Sequence, residues 1–148
     1  MFQPIGSLLT GDVFGYEALI RGPAGTPLES PIALFAEATR TGLLVPMERL
    51  AARIAIRAFM QAGLPGKLFL NYSADSLRNI EDSRDDVRTF LQSIQLPTDR
   101  IVLELTEQAP LGSLESLAKA VFSIRSRGAQ FALDDYGTGH ASLGQWIA

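Results

Sequence analysis

The sequence predicts an α/β fold built around a largely parallel sheet, and three observations lead there. Apolar runs of strand length, "KLFLNYS" (67–73), "IVLELTE" (101–107) and "AQFALDDYG" (129–137), recur along the chain. Amphipathic stretches of helix length separate them, and strands that alternate with helices pair in parallel through right-handed crossovers. With 47% apolar and 20% charged residues over 148 positions, the chain has enough material for one domain with a core and is not of disordered composition.

The elements follow in order. Phe2 to Ile5 and Val13 to Ile20 read as two short strands joined across Thr10-Gly11-Asp12. "SPIALFAEATRTG" is a helix with Ser30 as N-cap, Pro31 at the first helical position and Gly42 as C-cap. A second helix, about Pro46 to Ala62, sets Leu50, Ile54 and Ala58 on one stripe, and Gly63 closes it. After the strand at 67–73 come a helix over "SRDDVRTFLQSI" (83–94), the strand at 101–107 and a helix over "SLESLAKAVFSIRSRG" (113–128). The strand at 129–137 then leads to "ASLGQWIA" (141–148), which reads as a helix beginning. No linker or low-complexity segment interrupts the series.

Composition narrows the function. A net charge of −3 argues against a protein that grips a nucleic-acid polymer, which needs a basic face. A small anionic ligand is compatible with that charge, because bound cations reverse the local field. Cysteine is absent, so there is neither a disulfide framework nor a thiolate metal site, which fits the cytoplasm. "MFQPIGSLLTGD" lacks the basic and apolar regions of a signal peptide. "IAIRAFMQAGLPGKLFL" is broken by Arg57 and Lys67 before it could span a bilayer.

The polar residues in the strands form a pattern. Alternation puts Val102, Glu104 and Thr106 on one face and Ile101, Leu103 and Leu105 on the other. Asn71 shares a face with Phe69, opposite Leu68 and Leu70, while Glu17, Leu19 and Arg21 share another. One side of each strand is fit to pack under helices, and the other carries an oxygen donor near the C-terminal end, where α/β sheets and barrels build their sites. Glu17, Asn71, Glu104, Asp134 and Asp135 converge on one rim in this reading. All are hard oxygen ligands, suited to Mg²⁺ or Mn²⁺ rather than Zn²⁺. Asp134 and Asp135 are adjacent carboxylates that repel each other unless a cation lies between them. If both bind metal, the strand must end or twist there, which Gly137 and Gly139 permit. The pair can then bridge and flank two cations roughly 3.5 to 4 Å apart.

"YEALIRG", "LFLNYSADSL", "LELTE" and "LDDYGTGHASL", in this order, resemble the EAL-domain phosphodiesterases of bacterial cyclic di-GMP signalling. "FQPI" and "LFAEATRTGLL" fit as well, so the resemblance spans essentially the whole chain. Glu-Ala-Leu alone arises often by chance; four motifs in order at matching separations do not. The resemblance implies a modified TIM barrel with one antiparallel strand, and hydrolysis of cyclic di-GMP to linear pGpG. It makes Glu17, Asn71 and Glu104 metal ligands, has Asp134 bridge two metals, and has Asp135 bind the second. It assigns Arg21 to a substrate phosphate, Gln3 to a base, and Glu107 to anchoring the loop "DYGTGHAS". In the family that loop also takes part in dimer contacts, which implies a homodimer. The family's domain continues through further barrel strands that carry a lysine assisting the attacking water and another metal-binding glutamate. Residues 1–148 are therefore expected to be the first portion of the barrel, an EAL domain incomplete at its C-terminus.

Duller readings exist for each residue. Glu17 alone is a solvated strand-end carboxylate, Asn71 serves a turn before Ser73, and Arg21 is a surface charge or a partner of Glu17. His140, the only histidine, has no catalytic role here, and Trp146 reads as core. Taken together these readings leave five oxygen ligands on matching strand ends unexplained. Two functions compete: a metal-dependent phosphodiesterase, and a catalytically inactive receptor that binds cyclic di-GMP and signals to a partner protein.

Overall fold

Thr10-Gly11-Asp12 turns the chain between β1 (Phe2–Gly6) and β2 (Val13–Ala18), an antiparallel pair in which Gly11 takes φ +76°. The computed structural model describes residues 1–78, 96–106, 114–126 and 128–134, and within these the expected alternation is present. Helices α1 (Pro31–Arg40) and α2 (Leu44–Gln61) lead to β3 (Lys67–Tyr72) and a short α3 (Ala74–Arg78). A 3₁₀ turn (Thr98–Arg100) precedes β4 (Ile101–Thr106), then come α4 (Leu114–Arg125) and β5 (Gln130–Asp134). The five strands form one sheet in sequence order, with β2 to β5 parallel and β1 antiparallel at the edge. The expected helices at 83–94 and 141–148 lie outside the described residues.

Local chemistry explains the boundaries. Ser30 Oγ accepts from the Ala33 backbone N–H at 3.2 Å, and Pro31 occupies the first turn of α1. Thr41, rather than the expected Gly42, is the C-cap; Gly42 follows it at φ +70°, the left-handed position that ends helices. Gly63 does the same for α2 at φ +61°. Strand β2 stops at Ala18, two residues short of the expected Ile20.

The helix-facing side of the sheet carries Leu68, Leu70, Ile101, Leu103 and Leu105, all buried against Ala52, Ile56 and Phe59 of α2, Leu77 of α3 and Ile124 of α4. Phe59 is fully buried, with the rings of Phe2 and Tyr16 at 6.0 and 6.3 Å, edge to face. Arg100 closes the bottom of this core. Its Nε and Nη2 donate to the carbonyls of Gly66 and Leu64 at 2.7 and 2.8 Å, and its guanidinium lies 5.0 Å over the Phe59 ring.

The stripe of Leu50 and Ile54 read from the sequence is turned away from the core. Leu50 and Ile54 are 60% and 59% exposed, while Ala52, Ile56 and Phe59 are buried. Helix α2 carries two apolar stripes separated on one side by Arg49, Arg53 and Arg57, and the spacing of each fits a helix equally well. The sheet takes the stripe with the aromatic ring, which fills the space under Phe2 and Tyr16.

On the opposite face Phe69 and Val102 are also buried, and the Phe14 ring lies 6.0 Å from that of Phe69. Gly15 permits this: a Cβ there would lie 2.6 Å from the Lys67 carbonyl oxygen and 2.8 Å from the Phe69 ring.

Candidate active site at the strand ends

The residues singled out in the sequence meet through the register of the sheet. Gln3 lies directly across the antiparallel pair from Glu17, and paired residues share a face. Glu17 is level with Phe69 of β3, and Asn71 lies one pleat beyond Phe69 on the same side. Asn71 is in turn level with Glu104, Glu104 with Ala132, and Thr106 with Asp134. The donors thus climb toward the C-terminal ends as one crosses from β2 to β5. That stagger is what strand tilt produces in a barrel wall.

The side chains of the first two donors touch. Asn71 Nδ2 donates to Glu17 Oε1 at 2.7 Å, across 54 residues of sequence. This removes the reading of Asn71 as a turn residue, because it sits inside β3 and reaches across to β2. Glu17, Asn71 and Glu104 are all half-buried, on three adjacent strands. With its amide nitrogen committed to Glu17, Asn71 has its carbonyl oxygen left for another partner.

Two carboxylates and an amide oxygen make a hard, anionic donor set that fits Mg²⁺ or Mn²⁺ and offers nothing to a soft metal. Among the described residues no group of three or more His, Cys, Asp or Glu side chains is gathered closely enough to hold a metal. The described part of the site supplies Glu17 and Glu104 with Asn71 as the third donor. Asp134 is described as the last residue of β5, and Asp135 and Glu107 lie outside the described residues.

Arg21 stands three residues past the end of β2, exposed, with Nη1 donating to the Ile20 carbonyl at 2.7 Å. It is not paired with Glu17. Arg21 and Asn71 both line a cavity of about 350 Å³ between the β1–β2 pair and helices α1 and α2.

One polar residue at this end escaped the sequence reading. Glu48, on α2, is 5% exposed, and its Oε2 accepts from Ser73 Oγ at 2.8 Å and from the Ser73 backbone N–H at 3.3 Å. Ser73 Oγ accepts from the Ser76 N–H at 3.2 Å, capping α3. The visible signal was an acid four residues before Ala52, on the buried stripe of an otherwise apolar helix face. Burial pushes the neighbouring Tyr72 phenol up to about 12; the Glu48 carboxylate adds to the shift and Arg49 opposes it.

Among the described residues no helix is long and apolar enough to cross a membrane. The EAL domain family model matches residues 1–148. The chain is 31% identical over 150 residues to the probable cyclic di-GMP phosphodiesterase PdeG of Escherichia coli (strain K12), covering 96% of this chain and 29% of that protein. It resembles Klebsiella pneumoniae BlrP1, solved as a manganese and cyclic di-GMP complex, with a TM-score of 0.82 and 26% identity over 99% of this chain and 36% of that one. It resembles as well the Bacillus subtilis YkuI protein, with an EAL domain, solved with cyclic di-GMP and calcium: TM-score 0.82, 25% identity, 99% of this chain and 38% of that one. The chain spans between 17% and 29% of the length of the first curated relatives it matches. Its mixed sheet is part of the modified TIM barrel of these domains. Matched from end to end by that model, this chain belongs to the EAL domain family.

Proposed function

We propose that residues 1–148 form the first portion of an EAL domain that hydrolyses cyclic di-GMP to linear pGpG in bacterial signalling, with divalent cations, Mg²⁺ or Mn²⁺, at the strand ends. The observation that supports this most is the Asn71–Glu17 bond beside Glu104, which gathers oxygen donors from three adjacent strands. The named activity of relatives such as PdeG, and cyclic di-GMP bound to BlrP1 and YkuI, give the substrate class.

Glu17, Asn71, Glu104, Asp134 and Asp135 would hold the cations. Bound there, the cations supply Lewis acidity and a more acidic water. The protein's own work is positional. Asn71 keeps the Glu17 carboxylate in place and offers its amide oxygen, and Arg21 meets a phosphate of the dianionic substrate, which the acidic rim would otherwise repel. Gln3, across from Glu17, contacts a base, and Glu107 anchors the loop that follows Asp135. That loop also forms the homodimer contact, which light scattering on the intact domain tests; a strict monomer at high concentration removes it.

Glu17→Ala, Glu104→Ala and Asp134→Ala in the intact domain are each expected to lower turnover at least about 100-fold with unchanged circular dichroism. Near-normal hydrolysis by all three variants removes the site. Calorimetry with and without Mg²⁺, beside a turnover assay, separates enzyme from receptor: tight cyclic di-GMP binding without metal, and no pGpG with it, favours the receptor.

A further inference from the structure

We propose that Glu48 is a positioning residue for the metal site, fixing the end of β3 so that Asn71 presents its amide oxygen in one place; this rests on reading Asn71 as a cation ligand. Glu48 lies on α2 and not on the strand-end rim, so it acts through Ser73.

Strand β3 pairs with β2 as far as Leu70 and with β4 as far as Tyr72, where its ladder ends. The next N–H, that of Ser73, is received by Glu48 Oε2 at 3.3 Å. The same oxygen takes the Ser73 hydroxyl at 2.8 Å, and the hydroxyl oxygen accepts from Ser76 at 3.2 Å. The hydroxyl is thereby used as donor and acceptor at once, which leaves it one orientation. Glu48 extends the strand's hydrogen bonding by one residue past the ladder. Asn71 is two residues back, roughly 7 Å along the strand, with its side chain tied at the other end to Glu17 at 2.7 Å. A chain of contacts therefore runs from a helix in the core, through Ser73 and Asn71, to Glu17.

The choice of residue points the same way. A carboxylate that is 5% exposed is costly on an apolar stripe, and a leucine of similar volume would pack there at no such cost. A carboxylate accepts only, and both groups facing its Oε2 are donors. Burial of the side chain alone favours the leucine. Geometry at the end of β3 favours the glutamate.

The test uses the full-length protein with Mn²⁺ alone as probe, its affinity measured by isothermal titration and its coordination by electron paramagnetic resonance. Glu48→Leu removes a buried carboxylate but leaves two Ser73 donors without their acceptor, so the melting temperature is expected to move little while Mn²⁺ binding weakens about 10- to 100-fold, the range for groups that orient ligands. Ser73→Ala removes the hydroxyl without touching the core and is expected to weaken Mn²⁺ binding in the same direction; Ser73→Thr restores it. Asn71→Ala is the reference. If Asn71→Ala loses Mn²⁺ affinity while Glu48→Leu and Ser73→Ala bind like the wild type, the positioning role is overturned and the metal site stands. If Asn71→Ala itself binds like the wild type, the ligand role of Asn71 falls, and the positioning role with it. Should Glu48→Leu fail to fold, Ser73→Ala and Ser73→Thr decide alone.

Discussion

Tyr72 is the residue through which proton linkage to stability is most visible. Burial raises its phenol to about 12, and the Glu48 charge adds to that rise. The unfolded chain holds its tyrosine near the ordinary value of about 10. Below that value both states are protonated and Tyr72 contributes fully. Between about 10 and 12 the unfolded state loses its proton first, so stability falls as pH rises through this window. Denaturant titrations at several pH values from neutral to strongly alkaline should show a steeper alkaline loss in the wild type than in Tyr72→Phe. Parallel slopes would remove the shift. At the same scale, Glu17, Asn71 and Glu104 were legible because strand alternation alone separates donors from the apolar face. Glu48 was not, since its meaning depends on Ser73, which lies 25 residues away.

Helix α2 shows what an element can and cannot reveal in sequence. Its existence and its closing Gly63 followed from periodicity and chain conformation, but its orientation did not. Phe59→Ala is expected to cost about 3–5 kcal/mol, as a fully buried aromatic does. Ile54→Ala, on the other stripe, is expected to cost under about 1 kcal/mol because 59% of that residue is exposed. Chemical denaturation of both variants checks the orientation, and equal losses would contradict it. The β2–β3 pair makes a second prediction. Gly15→Ala sets a methyl 2.6 Å from the Lys67 carbonyl oxygen, a backbone atom that cannot swing aside. The pair must separate locally, at about 1–3 kcal/mol, measured as a lower melting temperature.

For the whole molecule, the sheet in order β1 to β5 is one continuous piece of barrel wall, with β1 at one edge and β5 at the other among the described residues. On the inner face of this wall Phe69 and Val102 are 7% and 3% exposed. For Phe69 the Phe14 ring supplies part of the cover. On the proposed reading, residues 1–148 prepared alone would supply Glu17, Asn71, Glu104, Asp134 and Asp135 to the cations, without the lysine and later glutamate that the family resemblance implies. Lys67 is not a substitute: it starts β3 at the far end and donates to the Asp99 carbonyl at 3.0 Å. Groups that handle metal and protons act as a unit, so their loss costs orders of magnitude. The isolated chain with Mn²⁺ is therefore expected to show no appreciable cyclic di-GMP hydrolysis. Turnover like that of the intact domain would show the missing groups to be dispensable.

By itself the sequence determined the alternation of strands and helices, the face of each strand that carries Glu17, Asn71 and Glu104, and, through four ordered motifs, the family. These are local or linear properties: a period of two, a cap, a spacing. Tertiary structure decided which stripe of α2 is buried, because two stripes met the same periodicity and only the packing around Phe2, Tyr16 and Phe59 distinguished them. It also decided that Asn71 bonds Glu17 and that Glu48 bonds Ser73. Both contacts join residues far apart in the chain, and hydrogen-bond partners at that separation are set by how strands and helices stack, which no local pattern encodes.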